Sequence, residues 1–280
     1  MNLLAGCLRW HQVLLGSVLA LGILTGPARA QNLLVSLPED GSWVRLEGDH
    51  LEKKSRPEAA EGDLELPWRT ELTIKSVGKA EAEVGGEKLP CRWVEFKTEF
   101  KSTKAATTEA SIQPEPFGTR IYKVLVPEAA ISIANKDESG LPITFLPIAK
   151  GYRRIAARDP QPVKENVLVV YPMISLLTHY PDWAETDAGT VDSPLGALEC
   201  KSWKGSRILG SSTLKSSNEG QLWITDAVPF GIAKVQVKVQ RFEKDATAAD
   251  DAFKLVAEIN SALIAVETGT DAQSDLPDLK

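Results

Sequence analysis

From Lys234 to Gln240 the chain reads Lys-Val-Gln-Val-Lys-Val-Gln. Three valines at every second position lie on one side of an extended strand and the polar residues on the other, whereas a helix would scatter them around its axis. Glu71-Leu72-Thr73-Ile74-Lys75 and Cys91-Arg92-Trp93-Val94-Glu95-Phe96-Lys97 repeat the alternation. Strands dry on one face and wet on the other belong to antiparallel sheets, because parallel strands are covered on both faces and read as continuous apolar runs. The pattern predicts a mainly β protein: a curved antiparallel sheet, a meander or half-barrel, with a few short helices.

Further strands are expected at 43–47, 121–126, 167–171, 197–203, 208–214 and 221–225. Turn formers separate them: Gly85-Gly86, Lys204-Gly205, Asn218-Glu219-Gly220 and Pro229-Phe230-Gly231. On this spacing residues 197–242 form a four-stranded antiparallel unit with tight connections. The polar, proline-containing stretches 52–67 and 101–119 suit long hairpin loops. Between residues 127 and 194 the prolines restrict any helix to a few turns. Residues 246–259 are rich in helix formers, with Thr247 as a cap and Asp250 and Asp251 near the positive end of a helix dipole, so a short helix followed by a final strand is expected. Residues 269–280 read as a flexible acidic tail.

The first thirty residues set the compartment. Val13–Leu24 is an unbroken apolar and small-residue stretch, and Ala28-Arg29-Ala30 offers a cleavage site before Gln31. A twelve-residue core is short of the ~20 residues a helix needs to cross a bilayer. A cleavable secretory signal over 1–30 is therefore expected, leaving a single domain over 31–268. Cys7 precedes the apolar core, where a lipid-attachment cysteine would close it.

Residues 1–30 contain two arginines and no acidic residue, so the remainder carries a formal charge of −8. That sign excludes nucleic acid as a partner class, since phosphates demand a basic face. The basic groups at Lys53-Lys54-Ser55-Arg56, Arg153-Arg154 and Lys201–Lys204 are then solvated faces.

Cys91 and Cys200 are the two thiols outside the signal. In an oxidising compartment they have one intramolecular pairing open to them, a bridge closing a loop of about 110 residues. Two separate buried thiols are the other reading.

Catalytic groups are sparse. His50 and His179 are the histidines beyond the signal, and with Asp49 and Asp182 they form no ligand spacing typical of a metal site. No Gly-x-Ser-x-Gly, phosphate-binding glycine loop or dinucleotide fingerprint occurs. Asp226 and Glu199 near Trp223 and Trp203 would allow a glycoside hydrolase, but acidic residues are too frequent to discriminate. No metal and no cofactor is called for. Tryptophan can dominate either a core or a binding surface, and Trp93, Trp203 and Trp223, each on a strand, are the candidate binding residues.

The segment Leu222-Trp223-Ile224-Thr225-Asp226-Ala227-Val228-Pro229-Phe230-Gly231-Ile232-Ala233-Lys234-Val235 resembles the closing hairpin of uncharacterised secreted bacterial β-rich proteins. Gly41-Ser42-Trp43-Val44-Arg45 and Tyr122-Lys123-Val124-Leu125-Val126-Pro127 are similar in style. The plan also resembles the lipoprotein-carrier half-barrels of the LolA and LolB type, which implies an apolar cavity under a curved sheet and assigns no functional residue. The expectation is a non-catalytic extracytoplasmic protein that binds an apolar ligand or a partner segment on a sheet face. A cell-envelope interaction module without a small-molecule site comes second, and a hydrolase third.

Overall fold

The computed structural model describes residues 34–102, 118–131, 146–164, 182 and 184–277. They contain eleven strands: β1 (Trp43–Lys54), β2 (Leu64–Val84), β3 (Glu87–Ser102), β4 (Gly118–Pro127), β5 (Lys150–Ile155), β6 (Gln161–Pro162), β7 (Ala184–Ser193), β8 (Gly196–Gly210), β9 (Leu214–Ile224), β10 (Ile232–Glu243) and β11 (Lys254–Gly269). All belong to one open antiparallel sheet in the order β6-β5-β4-β3-β2-β1-β11-β10-β9-β8-β7. Two meanders thus run outward from a central seam where the first strand meets the last, with Trp43 opposite Gly269 and Lys54 opposite Ala257. The sheet curls, since β7 returns to touch β11 although three strands lie between them.

Alternation puts one apolar residue after another on the inner face. Val44, Ile74, Phe96 and Tyr122 form one row across β1 to β4, and Leu263, Val235, Leu222 and Trp203 another across β11 to β8. All eight are buried. The N-terminal Leu34 and Val35 and the turn residues Val228 and Phe230 pack over this face in the same cluster. Phe230 takes a left-handed backbone (φ 65°), and its carbonyl accepts the Val35 N–H at 3.0 Å. Gly231 follows at φ 84°, where a Cβ would collide with the Val35 side chain.

Gly85 and Gly86 form the two-residue turn between β2 and β3 with φ of 63° and 87°, as a tight hairpin requires. Elsewhere the strands overrun the expected breaks. Lys204-Gly205 lies inside β8 and Asn218-Glu219-Gly220 inside β9, so the unit over 197–242 has three strands where four were expected. Gly205 and Gly220 pair directly opposite each other, and neither has the positive φ that would mark a turn. Residues 52–54 and 64–67 likewise extend β1 and β2.

The helix expected over 246–259 is replaced by a single 3-10 turn at Asp250–Ala252 and then β11. Ala257, Ile259, Ser261, Leu263 and Ala265 are buried while the residues between them are not. That period-two burial against β1 and β10 overrides helix propensity. Among the described residues the helices are 3-10 turns only, at Glu128–Ala130, Pro229–Gly231 and Asp250–Ala252, and no helix is long and apolar enough to cross a membrane. The cleavage site after Ala30, the strand expected at 167–171 and His179 lie outside the described residues.

Cys91 and Cys200 are buried and free, which corrects the expected bridge. They stand on β3 and β8, with five strands between them in the sheet order. Counting thiols left one pairing available, but a disulfide needs Cα atoms within ~7 Å, and strand order decides that.

Candidate functional site

The outer face of β2–β5 is not simply wet. Register places Lys75, Glu95, Lys123 and Tyr152 in one row there, and Trp93 beside Leu125 in the next. Across these rows lies the chain's own C-terminal segment, residues 271–277. Trp43 Nε1 donates to Asp271 at 2.9 Å and the Ala272 N–H donates to the Gly41 carbonyl at 2.9 Å, which steers the segment off the end of β11.

Glu95 anchors it. This carboxylate is 0% exposed. It accepts the Ser274 hydroxyl at 2.7 Å, the Asp275 N–H at 2.9 Å and the Leu276 N–H at 3.3 Å. The Lys75 ammonium, 3.5 Å from Glu95, also donates to the Gln273 carbonyl at 3.0 Å and to Asp275 at 2.8 Å. A carboxylate can be withdrawn from water when its lone pairs are filled this fully. Leu276 is then buried against Ile121 and Tyr152, with Trp93 packed on the cluster. The segment is held as an extended peptide, its main chain by a charge and its one large apolar side chain by a pocket.

Beside Leu276 a pocket of about 330 Å³ remains between Gly78, Trp93, Lys123, Tyr152 and Pro277. Trp93 and Tyr152 stack at 6.3 Å with 22° between planes, and the Lys123 ammonium lies 5.5 Å from the Trp93 ring. Flat aromatic walls with two lysines at the lining, Lys79 and Lys123, suit an apolar group that carries a negative or carbonyl end.

The three candidate tryptophans are not brought together. Trp93 faces outward on β3, Trp223 faces outward on β9 beneath the Lys234 ammonium at 4.5 Å, and Trp203 is buried in the inner core. Glu95, Lys75 and Leu276 escaped the sequence reading. A signal for them existed: the alternation in 91–97 puts Cys91 and Trp93 on the same face as Glu95 and Lys97, so that face is mixed.

Other chemistry is dispersed. His50 points inward against Trp68, with ring centroids 4.8 Å apart, and burial lowers its pKa to about 4. Asp49 points outward to Arg69 at 3.2 Å, so the strand itself separates the pair that a metal site would have used. Asp182 accepts the Ser206 N–H and hydroxyl, both at 2.7 Å, which holds its carboxyl below the usual range. Burial pushes both thiols up, Cys91 and Cys200 alike, which keeps them protonated and poor nucleophiles. Among the described residues no three His, Cys, Asp or Glu side chains gather as a metal-binding group.

No protein-family model matches the sequence, and no curated protein matches it. Solved structures that match include the following three. A candidate exported protein with a YmcC-like fold from Bacteroides fragilis shares 10% identity over 84% of this chain and 99% of its own, at a TM-score of 0.31. A candidate lipoprotein from Parabacteroides distasonis shares 11% identity over 84% and 98%, at 0.30. Lipovitellin, in a structure concerned with lipid–protein interactions, shares 8% identity over 85% of this chain and 26% of its own, at 0.39. The expected likeness to LolA- and LolB-type carriers gains no support from these three, and at such TM-scores none of them bears on function.

Proposed function

We propose that this chain is a non-catalytic extracytoplasmic protein that takes up an apolar ligand or an extended partner segment on the outer face of β2–β5, around Trp93. The observation that carries this reading is the seating of residues 271–277 on that face. Ser274, Asp275 and Leu276 occupy a main-chain clamp at Glu95 and an apolar pocket at Ile121 and Tyr152. A surface that holds one extended segment has the chemistry to hold another of similar kind, with a large aliphatic side chain pocketed as Leu276 is and N–H groups aimed at the buried carboxylate. The pocket walled by Trp93 and Lys123 is left for an apolar ligand. The signal-like residues 1–30 support the compartment.

A shortened chain ending at Thr270 should bind a labelled peptide of sequence 271–280 saturably by fluorescence polarisation. Trp93→Ala should weaken that binding about tenfold, in keeping with the loss of a buried aromatic contact. Trp223→Ala should leave it unchanged. A shortened chain that keeps its β circular-dichroism spectrum yet binds neither the peptide nor an environment-sensitive apolar dye would end the proposal.

A further inference from the structure

Strand β2 is irregular where it borders the Trp93 pocket. Ser76 pairs with Val94 and Lys79 with Arg92, so Val77 and Gly78 together stand opposite the single residue Trp93. Such a β-bulge bends its strand and breaks the ladder locally, which opens space in front of the indole. The bulge is braced from behind. Asp40 accepts the Gly78 N–H at 2.8 Å and the Ser76 hydroxyl at 2.9 Å. Arg92, 4% exposed and paired with Glu128 at 2.9 Å, donates to the same Ser76 oxygen at 2.9 Å. Gly78, at φ 132°, brings no side chain into the space, where a Cβ would stand 3.8 Å from the Trp93 ring.

The charge at this pocket is of one sign. Lys79 and Lys123 line it, and among the described residues that line it there is no acid. The Lys150 ammonium lies 5.4 Å from the Tyr152 ring, which forms the opposite wall. The acids of this face are engaged elsewhere. Glu95, opposite Lys123 in register, accepts the Asp275 and Leu276 N–H groups, Asp275 is held by Lys75, and Asp40 fastens the bulge. Lys123 is 3% exposed, so an anion that reaches it is drawn out of water, where their attraction is screened least.

What lies past Lys123 decides the body of the ligand. A second cavity of about 320 Å³ shares Val77, Gly78 and Lys123 with the first, and Asp40, Ser76, Gln273 and Ser274 are among its other walls. The first cavity, about 330 Å³, is at the small end of the range for ligand sites. A long acyl chain would outrun it and enter polar surroundings. A compact ring fills it against Trp93 and Tyr152 and stops at the lysines.

We infer that the bulge pocket binds a small aromatic carboxylate, its ring against Trp93 and Tyr152 and its carboxylate at Lys123 and Lys79. This rests on the reading of the outer face of β2–β5 as a binding surface and narrows the ligand to a flat acid.

The purified chain Gln31–Lys280 would be titrated by calorimetry with 2-naphthoate, with the neutral 2-naphthamide and with dodecanoate. Saturable binding of one naphthoate per chain is expected, with the amide and dodecanoate at least about tenfold weaker, the scale of a charge-assisted hydrogen bond. Lys123→Met, which keeps the aliphatic stem, should weaken naphthoate about tenfold and leave the amide unchanged. Lys79→Gln, at an exposed position, should act in the same direction without touching the buried lysine. Trp93→Ala should weaken both ring ligands and Trp223→Ala neither. Amide binding as tight as naphthoate, dodecanoate binding tighter than naphthoate, or naphthoate binding indifferent to both lysines would overturn the inference. So would naphthoate binding that appears only in a chain ending at Pro277, which would assign the lysines to the chain's own residues 278–280. If the 271–280 peptide binds the chain ending at Thr270 while naphthoate binds no form of the protein, the inference falls and the reading of the face stands.

Discussion

The carboxylate of Glu95 accepts the main-chain N–H of Asp275 at 2.9 Å, so a residue on the third strand holds one that lies 180 positions further along the chain. The carboxylate's hydrogen bonds go to Ser274, Asp275 and Leu276, and the segment would be a loose end without Glu95. Glu95→Gln should therefore cost about 2–4 kcal/mol in urea denaturation, the range for hydrogen bonds to a buried charge. Removing residues 271–280 from the variant should add far less than it costs the parent chain, because both changes break the same contacts. Additive losses would show that the two are not coupled.

The two faces of β10 give a sharper contrast. Val237 is 1% exposed and Gln236 is open to water. Val237→Asp should lower stability by about 3 kcal/mol or more by burying an unpaired charge, and Gln236→Asp by less than about 0.5 kcal/mol. Thermal melts that shift equally would mean the strand's faces are misassigned.

His50 links stability to pH. The buried ring ionises at about 4 in the folded chain against 6.5 as its ordinary value, so between those pH values the unfolded chain binds more protons at this site. Stability then falls as pH drops from about 6.5 to about 4 and levels off below, with up to about 3 kcal/mol at stake for this one group. Replacing it by His50→Gln should remove that component from the pH dependence of the unfolding free energy while other carboxylate contributions persist. An unchanged slope in that window would refute the assignment.

The thiols offer a direct count. In the native protein Cys91 and Cys200 should resist a thiol reagent and both should react in denaturant without a reductant, because they are buried and free. A reductant should leave the melting temperature unchanged. A stabilising bridge would instead show as a fall of several degrees on reduction.

Alternation made the strands legible: 71–75, 91–97 and 234–240 all read correctly because a half-buried strand must repeat every second residue. Strand ends were less legible. Gly205 and Gly220 resemble turn residues, and only their mutual pairing across two strands shows that both are extended. The run 246–259 misled because its alanines, leucine and charged residues suit a helix, while the burial of Ala257 and Ile259 beneath β10 and β1 is a tertiary fact. Trp93 was visible as a candidate, yet its partners Tyr152 and Leu276 come from positions far away in sequence, and nothing local announces them. Sequence spacing could likewise not place Cys91 and Cys200 on strands with five others between them.

The seam between β1 and β11 carries a consequence for how the chain assembles. Each half of the sheet is built from neighbours in sequence and can zip up locally, whereas Trp43 meets Gly269 only after almost the whole chain is available. Until then β1 and β10 are both open edges with dry inner faces, and such edges recruit whatever strand is nearest. The vulnerable interval of this protein is the wait for its last strand. A helper that shields β1 or β10 during that wait would protect the whole molecule, and a lesion that removes β11 would leave two half-sheets whose most adhesive surfaces face solvent.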